Sequence, residues 1–176
     1  MPPAADEVVT SLDVLGEVAI AALLLTTLVG LHGLGLTYAS ARFSRRLARL
    51  TDKTPLWRVH WVMTVTVGSF VLVHLAECII WALPIYWLGI AHSYHSAFAF
   101  VFECYTTLGL TPIIVPQKYD LLPPMISVTG LFTFGWTGSS LVYVMSQILR
   151  LESDRILRHL GKTPASHGTK PGPFGL

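Results

Sequence analysis

Two apolar runs set the frame for this chain: residues 14–38, interrupted by Glu17 and His32, and residues 59–83, which contain His74 and Glu77. A bilayer crossing needs about 20 consecutive apolar residues, and both runs are long enough. A third run, 123–149, opens after Asp120 with Pro123-Pro124 and holds no charged residue before Arg150. Only 12% of the residues are charged and 52% are hydrophobic, with a mean hydropathy of +0.58. Soluble domains carry about 25% charged residues. The chain therefore reads as an all-α membrane protein with three transmembrane helices.

Charge placement gives the orientation. Arg42, Arg45, Arg46, Arg49, Lys53 and Arg58 fill the connection at 39–58, and Arg150, Arg155, Arg158, Lys162 and Lys170 follow the third run. Lys118 is the one basic residue elsewhere. Short loops rich in Lys and Arg stay cytoplasmic, so 39–58 and the 150–176 tail are expected inside. The acidic 1–13 segment, with Asp6, Glu7 and Asp13, is then expected outside. Ala39-Ser40-Ala41 is a small-residue site of the kind a signal peptidase cuts, but a signal peptide carries its positive charge before its apolar core. Here the arginines come after it, so the 14–38 helix is expected to be retained. The expected location is integral to a membrane, the inner membrane of a prokaryotic cell, in contact with lipid.

Residues 84–121 are too mixed for a full crossing and too apolar for an ordinary exposed loop. Trp81, Tyr86, Trp87 and Tyr94 suit the membrane interface, where amphipathic rings collect. Ser93 or Ser96 can cap a short helix running through Phe98, Phe100 and Val101 to Tyr105. At about 1.5 Å per residue such a helix reaches half-way through the hydrocarbon, and the chain must return by Asp120. The expectation is a re-entrant loop on the outer face, between the second and third helices. Thr54-Pro55 is expected to start the second helix, the threonine hydroxyl capping it and the proline taking the first helical position.

Further residues stand out singly. His74 and Glu77 are three apart and share a helix face. Ionisable groups at that depth are costly, so a mutual hydrogen bond, or a partner on another helix, is expected ahead of metal binding. Ser127, Thr129, Gly130, Thr133, Gly135, Thr137, Gly138, Ser139 and Ser140 make the third helix rich in small residues. Such a surface serves close helix packing or a pore-lining helix with a hinge at Gly130, Gly135 or Gly138. Cys78 and Cys104 lie in apolar segments and define no disulfide framework. No phosphate-binding glycine loop, paired-cysteine metal spacing or nucleophilic triad is present, so no enzyme activity and no nucleic-acid partner is expected.

The stretch Phe98 to Pro112 joins these threads. Its core, Thr106-Thr107-Leu108-Gly109, resembles the selectivity filter of tetrameric potassium channels, whose pattern is Thr-x-Gly-Tyr/Phe-Gly-Asp. Leu110 stands for the aromatic residue, Thr111 for the second glycine and Pro112 for the aspartate. The resemblance covers 59–149 and implies a pore module: outer helix 59–83, pore helix and filter 93–112, inner helix 123–149. It implies a homotetramer in which Thr106, Thr107, Leu108, Gly109, Leu110 and Thr111 line the conduction path, with Glu103 and Tyr105 supporting them. It implies no cofactor other than the permeating monovalent cation, K+ or Na+, held by backbone carbonyls and threonine hydroxyls. Glu103 occupies a position where some of these channels carry a pore-helix glutamate, and is expected to bond a filter amide, hydroxyl or water. Two other readings of the chain remain. One is a non-conducting subunit that keeps the channel fold to assemble with other membrane subunits. The other is a haem- or metal-binding membrane protein using His32, His60, His74, His92 or His95.

Overall fold

The computed structural model describes residues 11–51, 54–110 and 112–161. It is all-helical, with no strand among these residues: α1 (Ser11–Leu47), α2 (Leu56–Trp87), the short α3 (Tyr94–Tyr105), one 3-10 turn (Gln117–Tyr119) and α4 (Leu122–His159). Two helices are long and apolar enough to cross a membrane, over Val18–Leu47 of α1 and Leu56–Trp87 of α2. The third expected crossing is a continuous helix, α4, and its Ser, Thr and Gly content makes it less apolar than the other two.

Helix ends differ from expectation at four places. The basic connection was expected to begin at 39, yet α1 continues to Leu47. Nothing in 39–47 breaks a helix, Phe43 is buried on it, and Arg45 and Arg46 in its last turn meet the negative end of the helix dipole. At the start of α2 the capping residue is Pro55, with no side-chain cap. The Thr54 hydroxyl turns back instead and accepts the Thr51 N–H at 2.9 Å. α2 also runs through Pro84 to Trp87, because a proline so close to the end forfeits only one internal hydrogen bond. Likewise α4 extends past Arg150 to His159, and Arg155, expected in a cytoplasmic tail, is buried. Its guanidinium donates to the carbonyls of Thr51 (2.8 Å) and Thr54 (3.1 Å), tying α4 to the α1–α2 connection.

α1 packs against α2 and α4, and α3 is wedged between α2 and α4. Two apolar clusters result. One surrounds α3 and includes Trp81, Ile85, Phe100, Val101 and Ile126. The other, nearer the basic ends, includes Leu36, Phe43, Val59, Phe70, Val144 and Ile148. Between them in sequence on each long helix lie buried polar residues: His32 on α1, His74 and Glu77 on α2, Thr133 and Thr137 on α4.

Among the described glycines, the tightest contact is at Gly130, where α4 meets the last residue of α3. A Cβ built there would stand 2.0 Å from the Tyr105 carbonyl oxygen. The obstacle is backbone, which cannot rotate away as a side chain would. Gly130→Ala is therefore expected to destabilise the protein by about 1–3 kcal/mol, the usual range for overpacking. Gly135→Ala, whose Cβ meets nothing within 4 Å, is the control. Unfolding of both variants by sodium dodecyl sulfate in mixed micelles checks the difference.

Candidate functional site

α3 is well defined at both ends. Ser93 and Ser96 form a capping box, each side chain accepting the other's backbone N–H at 3.1 Å. The C-terminus closes with the Leu108 N–H donating to the Glu103 carbonyl (2.8 Å) and the Thr107 N–H to that of Cys104 (3.0 Å). These two bonds make a Schellman motif, in which the residue after the cap turns left-handed and is usually glycine. α2 ends by the same device with Gly89 at φ +70°. α3 instead places Thr107 there, at φ +59°. A left-handed conformation costs an L-residue roughly 1–2 kcal/mol, and Thr107 is β-branched and exposed.

Beyond Thr107 the chain leaves helical geometry. Gly109 is left-handed again, at φ +61° with open space around it. Leu110 donates its N–H to Glu103 Oε2 at 2.8 Å. Of the three kinds of partner considered for Glu103, this one is an amide of the loop itself. The Thr106 hydroxyl donates back to the Phe102 carbonyl at 2.8 Å, so it closes the helix and does not face outward. Leu108, Gly109 and Leu110 are exposed. Thr111, the last of the expected filter residues, lies outside the described residues.

Tyr105, the last residue of α3, is buried and points away from the loop into the polar residues between the clusters. Its phenol donates to Glu77 Oε2 and meets the Thr133 hydroxyl. His74 Nδ1 meets the same phenol at 2.8 Å, and His74 Nε2 meets the Thr137 hydroxyl at 2.9 Å. On the far side His32 Nδ1 meets Glu77 Oε1 at 2.7 Å and His32 Nε2 meets Thr137 at 3.1 Å. All four helices are thereby joined through side chains. His74 and Glu77 do not bond each other, since their closest approach is 3.8 Å; each takes partners on other helices. Aromatic rings seal the site, with Phe134 stacked on His74 at 4.6 Å and Trp136 near His32.

His32, His74 and Glu77 each offer an atom that could hold a metal, all within 4.8 Å. Both nitrogens of each imidazole and both carboxylate oxygens already face hydrogen-bond partners, so a cation would have to displace bonds that satisfy the site. Of the remaining histidines, His60 is exposed and bonds the Leu56 carbonyl, while His92 and His95 are exposed near the start of α3. None of the three reaches the buried group.

Sequence reasoning paired His74 with Glu77, placed Tyr105 beside the filter and counted Thr137 among the small residues of the third helix, but did not bring the four together with His32. The available signal was His32 in the first apolar run and His74 in the second. The glycines of α4 divide as well. Gly130 is filled by the packing of α3, whereas Gly135 and Gly138 face open space. No family model, curated protein or solved structure matches this chain.

Proposed function

We propose that the chain is one subunit of a membrane-embedded, potassium-channel-like pore that passes monovalent cations passively. Four copies surround the path, with α2 outside and α4 inside. The observation that carries the reading is the loop after α3, with Thr107 and Gly109 left-handed two residues apart. Turning alternate residues this way brings successive carbonyls toward one side, as a cation that sheds its water requires. A strained threonine where the fold elsewhere uses glycine fits a site under functional demand, because such strain collects at ligand clamps.

Other features support the same reading. α3 is 12 residues long, about 18 Å at 1.5 Å per residue, and so spans about half of a 30 Å hydrocarbon layer. Its C-terminus is the negative end of its dipole and delivers the chain into the loop. The exterior is strongly apolar: Leu23, Leu34 and Leu72 on α1 and α2, and Phe132 and Val142 on α4, are each at least 66% exposed. Patches of that extent meet lipid or other subunits. One loop covers only one side of an ion, hence the homotetramer. The arginine distribution supports an outward-facing loop, with cytoplasmic C-terminus and external N-terminus.

Leu110 and Pro112 replace the aromatic and the acid of a potassium filter. They favour a short filter confined to Thr107–Gly109, which separates K+ from Na+ weakly. The same two residues favour the second reading, a non-conducting subunit assembled with other membrane proteins. Purified protein in liposomes, assayed for K+ and Na+ flux, tests the proposal. Flux of both ions is expected, and a tight vesicle at every protein density would overturn it.

Thr107→Gly separates the two roles of that residue. As a helix cap, glycine relieves the strained conformation at some entropic cost, so stability is expected to hold or rise by up to about 1 kcal/mol. As a filter residue, the variant loses its hydroxyl and its rigidity, so flux is expected to fall. A variant both stable and fully conducting would remove Thr107 from the path.

A further inference from the structure

The buried side chains between the helices close a ring whose hydrogens can be counted. Glu77 Oε1 meets His32 Nδ1, His32 Nε2 meets Thr137, Thr137 meets His74 Nε2, His74 Nδ1 meets Tyr105, and the Tyr105 phenol meets Glu77 Oε2. Each of these five contacts holds one hydrogen, so the ring needs five. A carboxylate brings none; two neutral imidazoles, a phenol and a threonine hydroxyl bring one each. The ring is one short. The shortage falls on Thr137, where two imidazole nitrogens converge on a hydroxyl that has a single hydrogen to give.

One added proton completes the ring. Every contact then has a donor and an acceptor, whether the proton sits on Glu77 or on an imidazole. The same proton cancels the negative charge of Glu77, which is 2% exposed beside His32 at 0%. An uncompensated buried charge is costly, and a contact between two acceptors is costlier than none. We infer that the ring is a binding site for one proton, held jointly by Glu77, His32, His74, Tyr105 and Thr137.

The surroundings leave the count intact. Among the described residues, α1 presents His32 alone, and α2 presents His74, Glu77 and the neighbouring buried Cys78. α3 presents Tyr105, and α4 presents only the hydroxyls of Thr133 and Thr137. Thr133 brings its own hydrogen, which it shares with the carbonyls of Thr129 and Gly130, so it is a side branch. Since the ring joins all four helices, losing the proton leaves a contact without a hydrogen at Thr137, where His32 of α1 and His74 of α2 converge on α4. The site stands whether or not the loop conducts ions.

The test counts protons released when the full chain, purified in detergent micelles, is unfolded by sodium dodecyl sulfate at about pH 7.5. An indicator dye in weak buffer reports the release. At that pH free imidazole, with an ordinary value of about 6.5, is mostly neutral and phenol, at about 10, keeps its hydrogen. The wild type is expected to release about one proton. Glu77→Gln supplies the missing hydrogen from its amide and is expected to release none. His32→Gln exchanges one donor and one acceptor for the same pair, so it is expected still to release one. No release from the wild type, or unchanged release from Glu77→Gln, overturns the proposal. Loss of the proton in His32→Gln also overturns it, since the proton would then belong to a simple His32–Glu77 ion pair. Should Glu77→Gln fail to fold, the wild type and His32→Gln still decide.

Discussion

Glu77→Ala is expected to cost about 3–5 kcal/mol of stability, the range for removing one partner from a buried ionic group. The carboxylate is 2% exposed and receives His32 on one oxygen and Tyr105 on the other. Alanine leaves His32 Nδ1 without a partner, removes the carboxylate that accepts the phenol's hydrogen, and opens a void between three helices. It also removes one of the two contacts by which His32 anchors α1, leaving the one to Thr137. Unfolding by sodium dodecyl sulfate in mixed micelles measures the loss, with His60→Ala as the comparison. His60 is exposed and bonds only within its own helix, so its replacement is expected to fall within about 0.5 kcal/mol of wild type. A Glu77→Ala penalty no larger than that of His60→Ala would mean that the ring does not hold the helices together.

The largest expected effect on function is at Gly109. Its φ is +61° and a Cβ there would meet nothing within 4 Å. Alanine is therefore not excluded by crowding; it is penalised only for the left-handed backbone, by roughly 1–2 kcal/mol. In an exposed loop that penalty is escaped by a local change of conformation, and the fold survives. The carbonyl path does not survive it. Gly109→Ala is expected to fold and insert with at most about 1 kcal/mol loss of stability, while cation flux in liposomes falls below detection. Gly68→Ala, also in open space but helical, is expected to leave flux unchanged. Full flux through Gly109→Ala would rule out a path through this loop.

Much of the architecture is carried by local pattern. Run length, the two basic stretches and the Ser93/Ser96 cap are each legible within a few residues. They account for four helices in this order, with the short one between the second and last. Two of the misplaced ends trace to tertiary contacts. Phe43 packing draws α1 past its arginines, and Arg155 reaches back to the carbonyls of Thr51 and Thr54. The Thr107 strain has a local cause as well, a Schellman turn, but a sequence shows only a threonine. That it must turn left-handed depends on where α3 stops.

The ring is of the other kind. His32 and Glu77 are 45 positions apart, and His32 and Thr137 are 105 apart. Which side chains meet across helices depends on the rotation and depth of each helix, and a helix shows three or four residues per two turns to any neighbour. An apolar run with one imidazole in it states only that the imidazole needs a partner. Gly130 follows the same rule: among the glycines of α4 it differs only in facing the Tyr105 carbonyl. Residue order thus settles the number and sequence of the helices, because burial of apolar runs and backbone hydrogen bonding are local. The closed ring, the seat of α3 on Gly130 and the support it lends to Phe98–Pro112 come from packing alone, where helix rotation decides which side chains share a buried space.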